Sequence, residues 1–294
     1  ALYSRAMSKI THRKLRKEII ATCRAMNAAG VNQGISGNVS ARIDGGFLIT
    51  PSGIPYEAME PEQIVEMDLA GGYYGKFLPS SEWRMHYDIY RARPEARAVV
   101  HTHATYCTAL SCQRTEIPAF HYMIGVAGGT TIRCADYATF GTQALSDAML
   151  KALEDRSACL LANHGMICFG PTLKKALWLT VEVETLARQF TFARQNGKPV
   201  ILPDDEMKAV LARFKSYGKQ AADLKPGEAL AVEPPPRRDA PGGNKIKGKA
   251  AKAPKAPKAP KVPPLAVVAG SEAAPAPESK KRPARRPKSK PTAA

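Results

Sequence analysis

The spacing of apolar residues along 12–218 changes repeatedly between a helical and a strand pattern. In the opening stretch, 12–29, apolar residues recur at helical spacing and Gly30 follows, which predicts an amphipathic helix with a C-terminal stop. Further helices are predicted over 82–94, 105–112, 141–156, 173–194 and 204–218. Short apolar runs predict strands over 38–43, 47–51, 98–104 and 159–170. This succession of strands and helices predicts a mixed α/β fold.

Small residues interrupt the strand pattern at two places. Asp44-Gly45-Gly46 separates the first two strands and is a strong signal for a β-hairpin. Asn163-His164-Gly165 interrupts the apolar run 159–170, so this segment is predicted as one strand with a break. The sheet is therefore expected to start with a hairpin and to contain one irregular strand.

Charge and proline content divide the chain near residue 226. Residues 226–294 contain 16 lysines and arginines against 5 acidic residues, and 15 of the 24 prolines. They carry +11 of the net charge of +17, which leaves +6 on residues 1–225. We expect one compact domain over 1–225 and a disordered Lys/Ala/Pro-rich basic tail over 226–294, since the tail is too poor in apolar residues to fold. A solubilising or flexible role for the tail is favoured over a dedicated nucleic-acid contact, because such runs bind any polyanion weakly.

Cysteine usage and apolar content indicate the compartment. The six cysteines are scattered without a CxxC pair, and the first residues lack the apolar run of a signal peptide. No stretch approaches the roughly 20 apolar residues of a membrane span. The sequence therefore predicts a cytoplasmic protein, with neither a membrane nor a specific nucleic acid as its partner.

Two histidines, His101 and His103, stand one residue apart in the predicted strand 98–104. Alternate residues of a strand point to the same face, which suits two ligands of one metal ion. Catalytic zinc usually takes three protein ligands and keeps one open position, and His164 is the natural candidate for the third ligand. An HxH pair alone is a weak signal, and a histidine beside a strand is usually an ordinary polar residue. The remaining histidines are expected to be structural: His12, His86 and His121.

A carboxylate lies just upstream of the two histidines. Glu82 follows Ser80 and Ser81 and is expected in the first turn of the helix 82–94. Near a metal, such a carboxylate serves as a general base or as a fourth ligand. The alternative is a surface carboxylate stabilised by the helix dipole.

Three clusters of small residues at turns indicate a phosphate site. They offer backbone N–H groups and hydroxyls, the last of them at a helix N-terminus. The clusters are Ser36-Gly37-Asn38, Thr50-Pro51-Ser52-Gly53 and Ser80-Ser81. Each alone is an ordinary turn or cap, but beside an open metal site they suggest a small phosphorylated substrate. The chain contains neither a Walker-type loop nor a GxGxxG fingerprint, which argues against a dinucleotide enzyme.

Six ordered blocks of sequence between about residues 10 and 218 resemble the class II aldolase/adducin family. The blocks are GNVSARIDGGFLITPSGIPYE, LPSSEWRMHYDIYRARPEARAVVHTHATYCTA, IPAFHYMIGVAGG, YATFGT, NHG and KALWLTVEVETLARQ. The resemblance implies an α/β class II aldolase-like three-layer fold, with a central and mainly antiparallel β-sheet flanked by helices. The tail beyond residue 226 has no counterpart in the family.

The resemblance also implies a metal-dependent aldolase with one Zn²⁺ per subunit. Its substrate would be L-fuculose 1-phosphate or a related deoxy- or methylthio-ketose 1-phosphate, cleaved reversibly to dihydroxyacetone phosphate and an aldehyde. The assembly would be a homotetramer with active sites at subunit interfaces.

Carried over by motif, the resemblance assigns roles to individual residues. His101, His103, His164 and Glu82 would bind the metal, and Glu82 would also be the acid/base. Tyr122, reaching in from the neighbouring subunit, would exchange a proton with the oxygen that becomes the aldehyde. The phosphate would be held by Gly37, Asn38, Ser52, Gly53, Ser80 and Ser81. The aldehyde end would be lined by Phe140 and Tyr217.

Two alternative functions follow from the same residues. A ketose-phosphate epimerase or a sugar-acid phosphate decarboxylase would share the fold and the metal. The related ribulose-phosphate epimerases carry an aspartate where this chain has Glu82, which favours plain aldol cleavage. An alternative of another class is a polyanion-binding scaffold that acts through the basic tail.

Overall fold

A mixed β-sheet of eight strands organises the residues that this computed structural model describes, 10–228 and 232. The strands are β1 Asn38–Ile43, β2 Gly46–Ile49, β3 Val65–Asp68, β4 Tyr73–Tyr74, β5 Ala98–Thr102, β6 Cys134–Ala135, β7 Ala158–Leu161 and β8 Gly165–Gly170. Their order across the sheet is β4-β3-β2-β1-β5-β8-β7-β6. Only the pair β6 and β7 is parallel among these neighbours. The expected mainly antiparallel sheet is confirmed.

Helices cover both faces of the sheet. They are α1 Arg13–Ala28, α2 Trp83–Ala92, α3 Thr105–Cys112, α4 Gln143–Ala152, α5 Leu173–Gln195 and α6 Asp204–Phe214. Short 3-10 helices span Pro61–Gln63, Tyr122–Ala127 and Ala221–Asp223. Helices α1, α3 and α5 contribute to the apolar core on one face, and α2 and α4 to the core on the other. The predicted three-layer architecture is therefore confirmed.

Strand β5 shows how one strand serves both layers. Val100 belongs to the core on the side of α1, α3 and α5, whereas Val99 belongs to the core beside α2 and α4. Side chains alternate across a strand, so His101 faces the α2 layer together with Val99. Both layers are apolar around β5, and His101 is fully buried at the end of this strand.

The two interruptions in the strand pattern have different outcomes. The predicted hairpin at Asp44-Gly45 is present, with Ile43 paired to Gly46 and a φ of 75° at Gly45. The segment 159–170, expected to be one broken strand, is instead two antiparallel strands, β7 and β8. The chain reverses because Asn163 adopts a left-handed φ of 53°, which asparagine tolerates better than most residues.

Three short strands, β3, β4 and β6, were not expected from the sequence. They have two to four residues each, which is too short for a recognisable alternation. None of the helices within residues 10–228 combines the length and apolar character that a bilayer crossing requires. The predicted disordered tail, 226–294, lies outside the described residues apart from 226–228 and Val232, so it stays a prediction.

Candidate active site

Two of the predicted metal ligands come from the end of β5. His101 is its fourth residue, and His103 follows one position after the strand ends. The Nε2 atoms of the two rings lie 3.2 Å apart. The Nδ1 atom of His101 donates a hydrogen bond of 2.8 Å to the Met166 carbonyl on β8. This bond fixes the tautomer and leaves the Nε2 lone pair of His101 directed at the other ring.

The β7–β8 turn brings the third histidine to the same place. The backbone N–H of Asn163 donates to the Ser111 carbonyl on α3 at 3.0 Å, which holds the turn against that helix. The ring centroid of His164 then lies 4.8 Å from that of His101 and 4.9 Å from that of His103. His164, which is distant along the chain, therefore meets His101 and His103 at the ends of the central strands of the sheet.

Glu82 lies against the three rings. The sequence predicted Glu82 in the first turn of α2, but it occupies the position immediately before this helix. Here the Trp83 N–H bonds to the Ser80 carbonyl in a turn that precedes the helix. Its Oε2 atom lies 3.1 Å from His101 Nε2, and its Oε1 atom lies 2.9 Å from His164 Nε2. The carboxylate is only 5% exposed and does not cap the helix, so the alternative of a surface dipole partner is wrong.

Burial and mutual proximity shift the protonation of these groups. Burial alone would raise the pKa of Glu82, but His101 and His164 together lower it well below its usual range. Burial would lower the pKa of His101, yet the adjacent Glu82 raises it. The pKa of His103 falls to about 4 through burial and repulsion by the other two imidazoles. The imidazoles around Glu82 thus favour the charged form of its carboxylate.

The donor set fits a divalent metal ion. One ligand atom from each of the four residues lies within 4.8 Å of all the others. Glu82 Oε1 is buried and accepts no hydrogen bond in the described residues, although His164 Nε2 is 2.9 Å away. Two such atoms in contact without hydrogen-bond geometry are expected when both face a common cation. Three imidazoles and one carboxylate are a set that suits zinc and several other divalent ions.

A pocket of about 320 Å³ opens beside the cluster. Its lining residues are Ser36, Ser81, Glu82, His103, Tyr137, Ala138, Phe140, Asn163 and His164. Phe140, expected at the aldehyde end, lines this pocket and is 64% exposed. Tyr137 also lines it, and sequence reasoning missed this residue. The available signal was its place in the YATFGT block, three residues before Phe140.

The expected phosphate residues occupy three neighbouring segments. The Ser80 N–H donates to the Thr50 carbonyl and the Ser52 N–H donates to the Leu78 carbonyl, each at 3.0 Å. These two bonds hold Ser52 and Gly53 near the start of α2. Gly53 has a left-handed φ of 72° that favours glycine. Two of the expected clusters are therefore adjacent, and Ser81 from one of them lines the pocket.

The third phosphate cluster lies at the start of β1. A Cβ at Gly37 would lie 2.7 Å from the His101 carbonyl oxygen, so only glycine fits there. The Asn38 side chain is already engaged, because its Nδ2 donates to Glu82 Oε2 at 2.9 Å. Gly37 and Asn38 thus lie against His101 and Glu82, and the preceding residue, Ser36, lines the pocket.

Two predicted tyrosines lie elsewhere in the same chain. Tyr122 and Tyr217 line a separate apolar groove of about 670 Å³. The centroid of the Phe214 ring lies 6.4 Å from that of Tyr122, in a stacked arrangement, and 5.1 Å from that of Tyr217, in an edge-on arrangement. This groove shares no lining residue with the pocket that contains Glu82. Within one chain, the structure does not bring these tyrosines to the histidine cluster.

Comparison with known proteins identifies the family. The family model for the class II aldolase and adducin N-terminal domain matches residues 17–191, more than half of the chain. A 5-methylthioribulose-1-phosphate/5-deoxyribulose-1-phosphate aldolase from Rhodospirillum rubrum is 51% identical over 207 residues, which cover 70% of this chain and 94% of that protein. An L-fuculose phosphate aldolase from Escherichia coli K12 is 50% identical over 206 residues, which cover 70% of this chain and 96% of that protein.

The fold comparison agrees with the sequence comparison. A solved L-fuculose 1-phosphate aldolase superposes with a TM-score of 0.67 and 40% sequence identity, covering 69% of this chain and 96% of that chain. The prediction of an enzyme of the aldolase class is confirmed by these relatives. On its sequence and its fold, this chain belongs to the class II aldolase and adducin family.

Proposed function

We propose that this protein is a zinc-dependent aldolase that reversibly cleaves a ketose 1-phosphate to dihydroxyacetone phosphate and an aldehyde. The observation that carries the proposal is the meeting of three imidazoles and one buried carboxylate within 4.8 Å beside an open pocket. Relatives named as ketose-phosphate aldolases at 50% and 51% identity support it.

The chain's own residues would divide the chemistry as follows. His101, His103 and His164 would hold Zn²⁺, with Glu82 as a further ligand when no substrate is bound. A bound Zn²⁺ supplies Lewis-acid stabilisation of the negative charge that develops on the dihydroxyacetone phosphate fragment. Glu82 would protonate that fragment at its third carbon during cleavage and remove the same proton during synthesis.

The substrate phosphate would bind beside the start of α2. Ser80 and Ser81 precede this helix, and Ser52 with Gly53 lies against them through the two backbone hydrogen bonds already described. Hydroxyls and backbone N–H groups at a helix N-terminus suit a phosphate without a lysine or arginine. Gly37 and Asn38 would complete this site from β1.

Tyr122 and Tyr217 would enter the pocket from a neighbouring subunit of a homotetramer. Both side chains are about half exposed, at 49% and 53%, in a groove separate from the Glu82 pocket. A second copy that placed this groove against the pocket would supply the proton donor for the aldehyde oxygen. The assembly would thus complete a site that one chain leaves incomplete.

The experiment is a metal-controlled assay on a panel of three ketose 1-phosphates: L-fuculose 1-phosphate, 5-deoxyribulose 1-phosphate and 5-methylthioribulose 1-phosphate. We expect dihydroxyacetone phosphate to be released from at least one, to stop after chelation and to return when Zn²⁺ is added. Manganese and cobalt are tested in parallel, because this ligand set suits several ions. Turnover that survives complete removal of metal contradicts the proposal.

Product analysis by NMR in the same assay separates the alternatives. An epimerised or decarboxylated product would replace the aldolase assignment with another reaction of the same fold. The two relatives at 51% and 50% identity act, by their names, on different ketose phosphates, so identity alone does not choose between substrates.

The proposed location is a reducing cytoplasm. All six cysteines lie in the described residues and are free thiols. Such cysteines are typical of reducing compartments.

A further inference from the structure

A row of buried polar side chains connects Glu82 to the interior of the sheet. Asn38 Nδ2 lies 2.9 Å from Glu82 Oε2, and Asn38 Oδ1 lies 2.5 Å from His86 Nε2. His86 Nδ1 lies 2.7 Å from Ser40 Oγ, which lies 2.8 Å from the Tyr90 hydroxyl. The four side chains beyond Glu82 are at most 3% exposed. In such a row, the donor and the acceptor of each hydrogen bond follow from the chemistry of the side chains.

The Asn38 amide fixes the direction of every bond. Its Nδ2 donates to Glu82 Oε2, so its oxygen faces His86 and can only accept there. Nε2 of His86 therefore carries the proton that this oxygen accepts. Nδ1 is then a bare lone pair that accepts from the Ser40 hydroxyl, which in turn accepts from Tyr90.

The fold brings these residues together through two simple periodicities. Asn38 and Ser40 are alternate residues of β1 and point to the same face of the sheet. His86 and Tyr90 are four residues apart on α2, and Glu82 stands four residues before His86.

The His86 ring is neutral at physiological pH. Burial is the main cause that lowers its pKa to about 3, and repulsion by His101 adds to this effect.

We propose that His86 is a positioning residue for Glu82, acting through the amide of Asn38. The proposal rests on the proposed function, in which Glu82 is both acid/base and metal ligand. Without the His86 donor, the Asn38 amide is free to turn its oxygen toward Glu82, and the carboxylate loses the hydrogen bond that Asn38 Nδ2 donates to it. Outer partners of this kind fix the orientation of metal ligands.

Two substitutions of His86 test the proposal: one keeps a hydrogen-bond donor in the new side chain and the other does not. His86→Gln retains an N–H near Nε2, whereas His86→Leu has similar size and no donor. We expect His86→Leu to weaken Zn²⁺ binding, measured by competition with a chelator, and to lower kcat for L-fuculose 1-phosphate, each by roughly 10- to 100-fold. KM changes far less, and His86→Gln restores most of both losses. A Gln variant as impaired as the Leu variant, with both folded, overturns the proposal.

A double-mutant cycle separates positioning from a general structural role. If His86 acts through Asn38, His86→Leu adds little further loss of Zn²⁺ affinity in an Asn38→Ala background. Additive losses in the cycle mean that His86 acts by another route and overturn the proposal. Zn²⁺ affinity is measured without turnover, so this result stands even if the wild type cleaves no ketose phosphate, which would instead contradict the proposed function.

A milder variant covers the case in which the Leu variant fails to fold. Ser40→Ala leaves His86 in place but removes the donor to its Nδ1 and the acceptor of the Tyr90 hydroxyl, and we expect a smaller loss of Zn²⁺ affinity. Ser146→Ala is the matched control, since Ser146 is equally buried but bonds to Asp88 on α2, away from this row. Equal effects of the two serine variants overturn the proposal. So does a ¹⁵N NMR spectrum of histidine-labelled protein that shows His86 charged or protonated at Nδ1.

Discussion

The pocket around Glu82 and the groove around Tyr122 are built in opposite ways. His101 and Glu82 are 0% and 5% exposed and are held by hydrogen bonds to Met166 and Asn38. Tyr122 is 49% exposed, lines an apolar groove and lies beside the rings of His121 and Phe214. The chain therefore holds the charged groups of the pocket in place by burial, whereas it leaves the aromatic groove exposed. The proposed tetramer would join the two.

The largest expected effect is the loss of a metal ligand from the pocket. In His101→Ala, the loss of several kcal/mol of Lewis-acid stabilisation should reduce kcat by roughly 10³-fold or more. Release of dihydroxyacetone phosphate and zinc content measure it. His12→Asn is the control, because His12 is exposed and has a left-handed φ that asparagine also adopts. Substantial turnover in the zinc-free alanine variant would show that the pocket is not the reaction centre.

The next effect concerns Glu82 alone. Glu82→Gln keeps the shape of the side chain but removes proton transfer, so kcat should fall by roughly 10²- to 10⁴-fold. Exchange of the dihydroxyacetone phosphate proton with solvent deuterium, followed by NMR, measures the proton step directly. If the Glu82→Gln variant exchanged this proton with solvent at the wild-type rate, another group would be the acid/base.

The third prediction joins the two regions. Tyr122→Phe should lower kcat by roughly 10²-fold and leave Zn²⁺ affinity unchanged, because Tyr122 is not among the four clustered residues. Mixed tetramers of the Tyr122→Phe and Glu82→Gln variants should recover activity, since some sites would pair an intact Glu82 with an intact partner Tyr122. Tyr73→Phe is the control, as Tyr73 is a similarly exposed tyrosine on the edge strand β4. Absence of recovery in verified mixed tetramers would contradict the shared site.

A smaller effect is expected at the mouth of the pocket. Phe140→Ala removes an exposed ring beside Glu82, so the ratio of kcat/KM between methylthio- and fuculose-type substrates should change by roughly 10-fold. Phe192→Ala, a comparably exposed phenylalanine on α5, should leave that ratio unchanged. An equal change in both variants would remove Phe140 from the proposed aldehyde side.

The smallest effect is expected from the basic tail. Deletion of 226–294 should leave kcat unchanged, while weak and salt-sensitive binding to polyanions is lost. Comparison of kcat and of nucleic-acid binding at two salt concentrations measures both. Loss of turnover on deletion would contradict the proposed domain boundary at 225 and 226.

The sequence predicted the long helices of the fold more accurately than its short strands. Periodicity located α1, α3 and α5 to within about a residue or two of their observed ends, because long amphipathic runs carry a strong local signal. It missed β3, β4 and β6, whose stability comes from pairing with neighbours that no local pattern reveals. It also treated the β7–β8 hairpin as one interrupted strand, because the reversal depends on the left-handed Asn163.

By itself, the sequence determined which ligand types the chain offers, where the first hairpin turns and where helices α1, α3 and α5 start and end, since ligand types, turn residues and apolar spacing are local properties. Only the tertiary structure decided that His164 meets His101 and that Asn38 lies between Glu82 and His86. It also decided that Tyr122 faces another groove. These outcomes depend on the order of strands in the sheet and on which face each side chain buries, and neither is encoded at any single position.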